Sequence, residues 1–328
     1  MKNQRVARSG PPAILACFFA IAALAPAAAI AQDYPARPIS VVVPYPAGSF
    51  TDNVMRPVAA ALSKSLGQNV LIDNRVGAQG VVGTQFAARA RPDGYTLLIG
   101  SSTSLAANVG LFKSLPYDPL KDFQPVAGLA YTSMMFMVRT DSPAKDLKSF
   151  LELARREANP MPVGIGSSSA QVGLALLTKL SGVKFTPISY KGTPQVVTEL
   201  IGGVVPLGVV DVGNGVAQMK GGRLLPLAIS GSSRSVSAPD VPTLGETWSG
   251  TQLVTWVGLM APAGTPMPIV EKLHAAVNEA LASAEMKRTF SAMATEIEPV
   301  TPQALKARIE RDVVQWGELI RAAGIQPE

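Results

Sequence analysis

The stretch VVVPYPAGSFTDNVMRPVAAALSKSLG (41–67) decides the fold, because it joins a strand pattern to a helix pattern through a loop containing Pro, Gly and Ser. Three valines precede the loop, and apolar residues spaced by four follow it, at Val54, Val58, Leu62 and Leu66. A strand that leads into a helix in this way directs the unpaired first-turn N–H groups and the positive end of the helix dipole at the loop. The stretch therefore predicts a strand–loop–helix unit with a small anion site.

The start of this first helix is predicted less directly than its apolar face. The spacing gives a helix over 54–66, and Asp52 is the clearest capping candidate before it. Pro57 is accepted in the first turn of a helix but disrupts an interior turn. Two alternatives follow: the helix begins near Arg56, or it is kinked at Pro57.

Strands and helices alternate along the remaining chain, which is typical of a mainly parallel sheet with helices on both faces. Strands are predicted over 39–44, 69–74, 95–100, 134–139, 162–166, 185–189, 204–210, 224–230 and 256–261. Helices are predicted over 54–66, 79–90, 144–158, 172–180, 195–201, 266–283 and 302–323. The length favours two α/β lobes, with the C-terminal part returning to the first. We expect lobe 1 to comprise 32–131 with 255–328, and lobe 2 to comprise 132–254.

Residues 1–31 predict an export signal of the Sec type, with three basic residues, an apolar segment over 14–30 and a small-x-small cleavage pattern that ends at Ala31. A transmembrane anchor is disfavoured because the segment is short, Ala-rich and interrupted by Pro26. A lipoprotein is the other alternative, but the apolar run continues past Cys17. Removal of the signal would leave 297 residues without cysteine and lower the formal net charge from +6 to +3. No dense basic stripe with interleaved aromatic residues is present, so a nucleic-acid partner is not expected.

Three strand-to-helix loops share one composition, namely PAGSFTD (46–52), GSSTSLAAN (100–108) and GSSSAQ (166–171). All three are rich in Gly and hydroxyl groups and contain no Lys or Arg, so they would recognise an anion through N–H and O–H donors rather than an ion pair. The alternative for each loop is ordinary helix capping. The candidate ligand-binding residues in these loops are Ala47, Gly48, Ser49, Phe50, Thr51, Asp52, Ser101, Ser102, Thr103, Ser167, Ser168, Ser169 and Gln171.

Two later strand ends add candidates at Tyr190, Lys191 and Asp211. Lys191 would supply the only positive charge near the cleft, or it is a solvated lysine in a turn. Asp211 would accept a hydrogen bond from a ligand N–H or from backbone donors. Phe50 has no capping role, so it either packs inward or covers the pocket. Trp256 lies in an apolar strand and is expected in the core.

Catalysis is not expected from the residues available. His274 is the single histidine, and we expect it on a helix at the outer surface. A second His and a retained Cys are both lacking, which disfavours a His-based triad, a Cys nucleophile and a His-rich metal site. Neither a G-x-S-x-G nor a P-loop motif occurs, so no cofactor and no metal are predicted.

Several phrases of the chain resemble the extracytoplasmic solute receptors of the tripartite tricarboxylate transporters, also called the Bug family. They are VVVPYPAGSFTD (41–52), LIDNRVGAQGVVGTQFAARARPDGYTLLIGSSTS (71–104), LPYDPLKDFQPVAGL (115–129), YKGTPQVVTELIGG, KGGRLLPLAIS, APDVPTLGE and WVGLMAPAGTP. The resemblance extends over about residues 34–325. It implies a two-lobed type II periplasmic-binding-protein fold joined by crossover strands, which closes on a carboxylate, an acidic amino acid or an aromatic acid.

The resemblance also implies which residues hold the ligand. The positions carried over are Tyr45, Ser49, Thr51, Ser101, Ser102, Ser167, Ser168, Ser169 and Asp211. The chain departs from the family pattern at three points. The first loop contains Phe50, whereas this loop usually contains more glycine in the family. Gln171 stands where His is often found, and Asp211 is shifted by one position. These departures favour an aromatic or compact monocarboxylate over a dicarboxylate.

The function predicted from the sequence is therefore a periplasmic solute receptor, a monomer that delivers a small carboxylate to the membrane permease subunits of such a transporter. One alternative is a partner that presents the ligand to a membrane signalling kinase. A second is a divergent periplasmic enzyme, and a third is a structural or scavenging protein.

Overall fold

The computed structural model describes residues 34–327, and the predicted export signal lies outside them. Ten strands are described, β1 (Ile39–Val43), β2 (Val70–Asn74), β3 (Thr96–Ser101), β4 (Phe123–Arg139), β5 (Met161–Ile165), β6 (Phe185–Ser189), β7 (Leu207–Asp211), β8 (Leu224–Ile229), β9 (Val254–Pro262) and β10 (Glu296–Val300). The α-helices within the same residues are α1 (Phe50–Leu66), α2 (Val81–Ala88), α3 (Asn108–Leu111), α4 (Leu147–Arg156), α5 (Ser168–Ser181), α6 (Thr193–Ile201), α7 (Val212–Lys220), α8 (Leu244–Thr247), α9 (Met267–Ala282), α10 (Ala284–Ala292) and α11 (Pro302–Ala322). A short 3₁₀ helix over Ala78–Gly80 and a π-helix over Thr103–Ala107 complete the description.

The strands form a curled sheet in the order β2-β1-β3-β9-β4-β7-β5-β6, and β8 and β10 both pair with β4. The strands β2, β1 and β3 run parallel, as do β6, β5 and β7. Antiparallel pairing through β9 and β4 joins these two parallel groups. The sheet therefore has two parallel halves, each flanked by helices, with long strands crossing between them.

Strand β4 changes partners along its 17 residues. Its first part, up to Ser133, pairs with β9 and β10, whereas its second part, from Met134, pairs with β7 and β8. The sequence predicted only 134–139 of this strand. The missing part contains Pro125, Gly128 and two register shifts, so its strand pattern is weak and its order depends on pairing with β9, more than 120 residues away.

Helix α1 begins at Phe50, four residues before the predicted start, and Pro57 lies in its interior. The alternative of a start near Arg56 is therefore wrong. Asp52 is not the N-cap either, because Ser49 takes that position and its hydroxyl accepts a hydrogen bond from the Asp52 N–H at 3.4 Å. Helices α3, α7, α8 and α10 and strand β10 were also not predicted from the sequence.

The core confirms Trp256 as an interior residue, only 1% exposed, whose indole Nε1 donates to Asp312 at 2.6 Å. His274 differs from its prediction, because α9 packs on β4 and the half-buried imidazole contacts the Val126 carbonyl at 2.8 Å. The second ring nitrogen faces the amide of Asn278 at 2.9 Å. His274 therefore links helix α9 to strand β4. No helix within residues 34–327 combines the length and the apolar character that crossing a bilayer needs.

Candidate functional site

A cavity that is partly open to solvent lies between the two halves of the sheet. Loops that follow β1, β3, β5 and β6 surround it, together with the end of β7 and the crossing strands β4 and β9. This is where parallel α/β sheets bind their ligands, beyond the carboxyl ends of the strands. The lining residues are Tyr45, Ser49, Phe50, Thr51, Ser101, Thr103, Met134, Gly166, Ser167, Gly192, Thr193, Asp211 and Thr255.

The first loop presents two hydroxyls at the N-terminus of α1. The Ser49 and Thr51 side-chain oxygens lie 3.0 Å apart, and both side chains are buried. Gly48 has a positive φ of 81°, a conformation that glycine adopts without strain, and this turn brings the chain into the helix. The N-terminus of the 17-residue helix α1 thus lines the cavity through Ser49, Phe50 and Thr51.

Asp52 stabilises this loop through hydrogen bonds and does not line the cavity. Its carboxylate accepts two hydrogen bonds from Arg56, at 2.7 and 2.8 Å, one from Asn74 at 3.0 Å and one from the Gly48 N–H at 2.9 Å. Burial by itself would raise the pKa of Asp52, but these hydrogen bonds outweigh it and hold the pKa below the usual value. Asp52 therefore stays ionised and keeps its negative charge paired with Arg56.

The second loop contributes Ser101 and Thr103, whereas Ser102 does not line the cavity. The Ser101 hydroxyl lies 3.4 Å from that of Ser104 and accepts from its N–H at 3.2 Å. Ser102 is fully buried, and its hydroxyl lacks a hydrogen-bond partner among the described residues.

The third loop divides its serines between two tasks. Ser167 caps α5, accepting from the Ala170 N–H at 3.2 Å, and lines the cavity. Ser168, Ser169 and Gln171 instead reach residues that precede β4. The Ser168 hydroxyl donates toward Asn108 Oδ1 at 2.7 Å and Gln79 Oε1 at 3.1 Å.

Two further contacts cross between the halves beside this one. The hydroxyls of Ser169 and Thr103 lie 2.7 Å apart, and Gln79 donates to Gln171 at 3.4 Å. On the other side of the cavity, the Asn214 amide donates to the Gly48 carbonyl at 3.3 Å. The two halves are therefore joined by direct hydrogen bonds around the cavity.

Asp211 lies at the end of β7, lines the cavity and caps α7. It accepts from the N–H of Asn214 at 3.0 Å and from the Asn214 side-chain amide at 2.9 Å. Burial raises the pKa of Asp211 above the ordinary carboxyl value of 3.8, and these neutral donors only partly oppose that effect. Its carboxylate makes no ion pair within residues 34–327.

Phe50 forms a wall of the cavity. It packs inward at 9% exposure and also lines a neighbouring pocket that contains Asn53 and Lys220. The aromatic ring thus limits the cavity on the side of α7.

Eight of the predicted site residues line the cavity, namely Tyr45, Ser49, Phe50, Thr51, Ser101, Thr103, Ser167 and Asp211. The others do not line it, and these are Ala47, Gly48, Asp52, Ser102, Ser168, Ser169, Gln171, Tyr190 and Lys191. Lys191 is exposed and lies next to Gly192 of the lining, and Tyr190 packs against a hydrophobic cluster. Among the described residues, the lining contains no Lys, Arg or His.

Five further residues complete the lining, namely Met134, Gly166, Gly192, Thr193 and Thr255. Gly166 opens the predicted loop over 166–171, and Gly192-Thr193 follows the predicted strand over 185–189, so their position at strand ends was a usable signal. Met134 and Thr255 belong to β4 and β9, and no local pattern indicates that strand residues of this kind face a cavity.

Comparison with known proteins places the chain in a defined class. The periplasmic binding protein BugD superposes with a TM-score of 0.85 at 32% identity, covering 90% of this chain and 100% of that one. MatC from Rhodopseudomonas palustris, solved with bound malate, has a TM-score of 0.83 at 33% identity, covering 88% of this chain and 100% of MatC. An R. palustris protein solved with adipate has a TM-score of 0.87 at 29% identity, covering 90% and 100%. The fold is that of a two-lobed periplasmic binding protein, as predicted.

The sequence relationship identifies the family within that class. The sequence model of the tripartite tricarboxylate transporter family receptor matches residues 54–325. Protein BugT of Bordetella pertussis is 34% identical over 318 residues, which cover 95% of this chain and 97% of BugT. The chain belongs to the tripartite tricarboxylate transporter receptor family, a family of solute-binding receptors, and the predicted resemblance is confirmed.

Proposed function

We propose that this chain is a periplasmic receptor that binds a small carboxylate between two lobes and passes it to the membrane subunits of a tripartite tricarboxylate transporter. The observation that carries the proposal is a cavity lined by hydroxyls and helix N-termini, with no cationic side chain among the described lining residues. The malate and adipate in the neighbouring structures support the choice of a carboxylate.

The lining binds an anion through neutral donors. Helices α1, α5 and α6 all begin at this cavity, at Ser49, Ser167 and Gly192, and each adds the positive end of its dipole. Hydroxyls of Ser49, Thr51 and Ser101 supply donors of variable direction. A carboxylate held in this way is released more readily than one in a buried ion pair, which suits a protein that must deliver its ligand.

Lobe closure accompanies binding in this proposal. The hydrogen bonds from Ser168 to Asn108 and Gln79, and from Asn214 to Gly48, join lobe 1 (32–131 with 255–328) to lobe 2 (132–254). They belong to a closed form, and a ligand that contacts both lobes shifts the population toward it. In the open form the same polar groups hydrogen-bond to water.

The export and assembly of the protein complete the proposal. Residues 1–31 are removed after Ala31 during export, and the receptor works as a monomer. N-terminal sequencing of the periplasmic fraction and light scattering test these two points, and an intact Met1 or a stable dimer would contradict them.

The function is tested by a thermal-shift screen of residues 32–328 after refolding, with calorimetry of every hit. The panel contains dicarboxylates, hydroxy acids, amino acids and aromatic acids, with sugars and amines as controls. A ligand at 100 times its dissociation constant adds about 2.7 kcal/mol and raises the melting temperature by several degrees. A refolded protein that responds to sugars or amines and to no acid would overturn the proposal.

A further inference from the structure

Thr255 carries a buried hydroxyl that the protein does not satisfy. Residue Thr255 is 6% exposed, and its Oγ1 has no hydrogen-bond partner among residues 34–327. Four buried side-chain polar atoms in that part of the chain lack a partner, and they belong to Ser102, Gln218, Thr255 and Arg308. Only Thr255 among these residues lines the cavity.

The register of the crossing strands locates this hydroxyl. Thr255 on β9 is directly opposite Thr132 on β4, and Met134 is two residues further along β4, opposite Asp211 on β7. Directly opposite residues, and residues two apart on one strand, project from the same face of a sheet. Thr255, Met134 and Asp211 therefore project from one face of the sheet, and together they line the floor of the cavity.

The other hydroxyls around the cavity have protein partners, so the situation of Thr255 is unusual. Ser49 and Thr51 contact each other, Ser101 contacts Ser104, and Thr103 contacts Ser169. A buried hydroxyl without a partner destabilises a fold, and such groups are rare in native proteins. A valine would fill the same volume without that penalty. The presence of a hydroxyl here therefore indicates a hydrogen-bond partner from outside the chain.

We infer that Thr255 is a specificity-determining residue that hydrogen-bonds to a second oxygen of the ligand, separate from the carboxylate at the helix N-termini. The inference rests on the proposed function. It assigns the ligand to acids that carry such an oxygen, as a hydroxyl or a second carboxylate, rather than to alkyl or aryl monocarboxylates. Met134 contacts the carbon chain between the two polar ends.

The test compares wild type with Thr255→Val, which keeps the shape and removes the hydroxyl, and Thr255→Ser, which keeps the hydroxyl. Ser102→Ala is the matched control, since it removes another buried, unpartnered hydroxyl that does not line the cavity. Melting temperatures of the ligand-free proteins and dissociation constants for malate, succinate, adipate and hexanoate are measured. Malate and succinate differ by one hydroxyl, and adipate and hexanoate by one carboxylate.

We expect Thr255→Val to weaken binding of the acid with the second oxygen about tenfold, with little change in the ligand-free melting temperature, because water reaches the cleft in the open form. The matched acid that lacks the second oxygen should bind wild type and Thr255→Val with equal affinity. Thr255→Ser keeps the wild-type affinity, and Ser102→Ala raises the melting temperature without changing any affinity.

Three results would overturn the inference. The first is an unchanged affinity of Thr255→Val for every acid that wild type binds. The second is a clearly lowered melting temperature of ligand-free Thr255→Val, since the hydroxyl would then have a partner within the protein. The third is binding of benzoate but of none of the four acids. That result would agree with the proposed carboxylate receptor and would contradict only the assignment of Thr255. Binding of no acid at all would overturn the proposed function together with it.

Discussion

Replacement of Ser168 and Ser169 by alanine should weaken ligand binding although neither side chain lines the cavity. Both serines are fully buried, and their hydroxyls make the shortest hydrogen bonds across the two halves, at 2.7 Å to Asn108 and 2.7 Å to Thr103. The contact to Gln79 shares the single Ser168 hydroxyl hydrogen with Asn108, so the pair contributes two hydrogen bonds rather than three.

The expected effect follows from what these groups contact in each state. A neutral side-chain hydrogen bond contributes about 1 kcal/mol net, so the double variant destabilises the closed form by about 2 kcal/mol relative to an open form in which the partners meet water. That difference corresponds to about 30-fold in the closing equilibrium and, where binding requires closure, to the same factor in the apparent dissociation constant.

The assay is isothermal calorimetry with an acid that binds wild type, combined with small-angle scattering of the ligand-free protein. Ser181→Ala is the control on the same helix, because its hydroxyl donates to the Leu177 carbonyl at 2.7 Å and makes only local contacts. We expect the control to keep the wild-type affinity. A double variant that has a lowered melting temperature but binds with wild-type affinity would refute the reasoning, since the serines would then stabilise the fold alone.

Three further predictions concern the loops and the buried carboxylates. A Cβ on Gly192 would lie 2.5 Å from Pro46 Cγ, so Gly192→Ala should hold the two loops apart. We expect acid binding to weaken at least about tenfold in calorimetry, with little change in the ligand-free melting temperature. An unchanged affinity would contradict this prediction. Arg56→Met removes the main donor to the buried carboxylate of Asp52, whose pKa is lowered in the folded protein. A lowered carboxyl pKa stabilises the fold above the unfolded pKa, and this contribution is lost as the pH falls. Because Arg56 is half exposed, we expect urea unfolding to show a free energy of unfolding lower by about 1 kcal/mol at pH 7, with the difference fading below about pH 4; an equal difference at pH 3 would contradict the prediction. Burial raises the pKa of Asp211, so the stability that this carboxyl contributes is fully present below the unfolded value of 3.8 and is lost as the pH rises through the raised value. Asp211→Asn should therefore be at least as stable as wild type at pH 7, with no advantage below about pH 4, and a clear loss of stability at pH 7 would refute this.

The strand–loop–helix units could be predicted from the sequence because each depends on near neighbours. The predicted strand over 185–189 coincides with β6, and the predicted last helix differs from α11 by one residue at its end. Helix starts were missed by several residues at α1 and α5. In both cases a serine rather than the first apolar residue defines the N-terminus, at Ser49 and Ser167.

The candidate site was predicted as three loops but not residue by residue. Ser167, Ser168 and Ser169 are adjacent and chemically equal, yet only Ser167 lines the cavity while the others reach Asn108 and Thr103. The sequence does not determine this division, since each partner lies 60 or more residues away. Lys191 was named from its position at a strand end, and the structure places it as an exposed residue beside Gly192 of the lining.

The sequence by itself determined the class of protein, the alternation of strands and helices, and the hydroxyl-rich loops without cations, because composition, spacing and capping act over a few residues. The tertiary structure alone decided the extension of β4 through residues 123–133, the division of the serines between cavity and lobe contacts, and the position of Thr255 on the cavity floor. These features depend on strand register and on which face a side chain takes. Both are set by pairing between segments far apart in the chain, where one step in register moves every side chain to the opposite face.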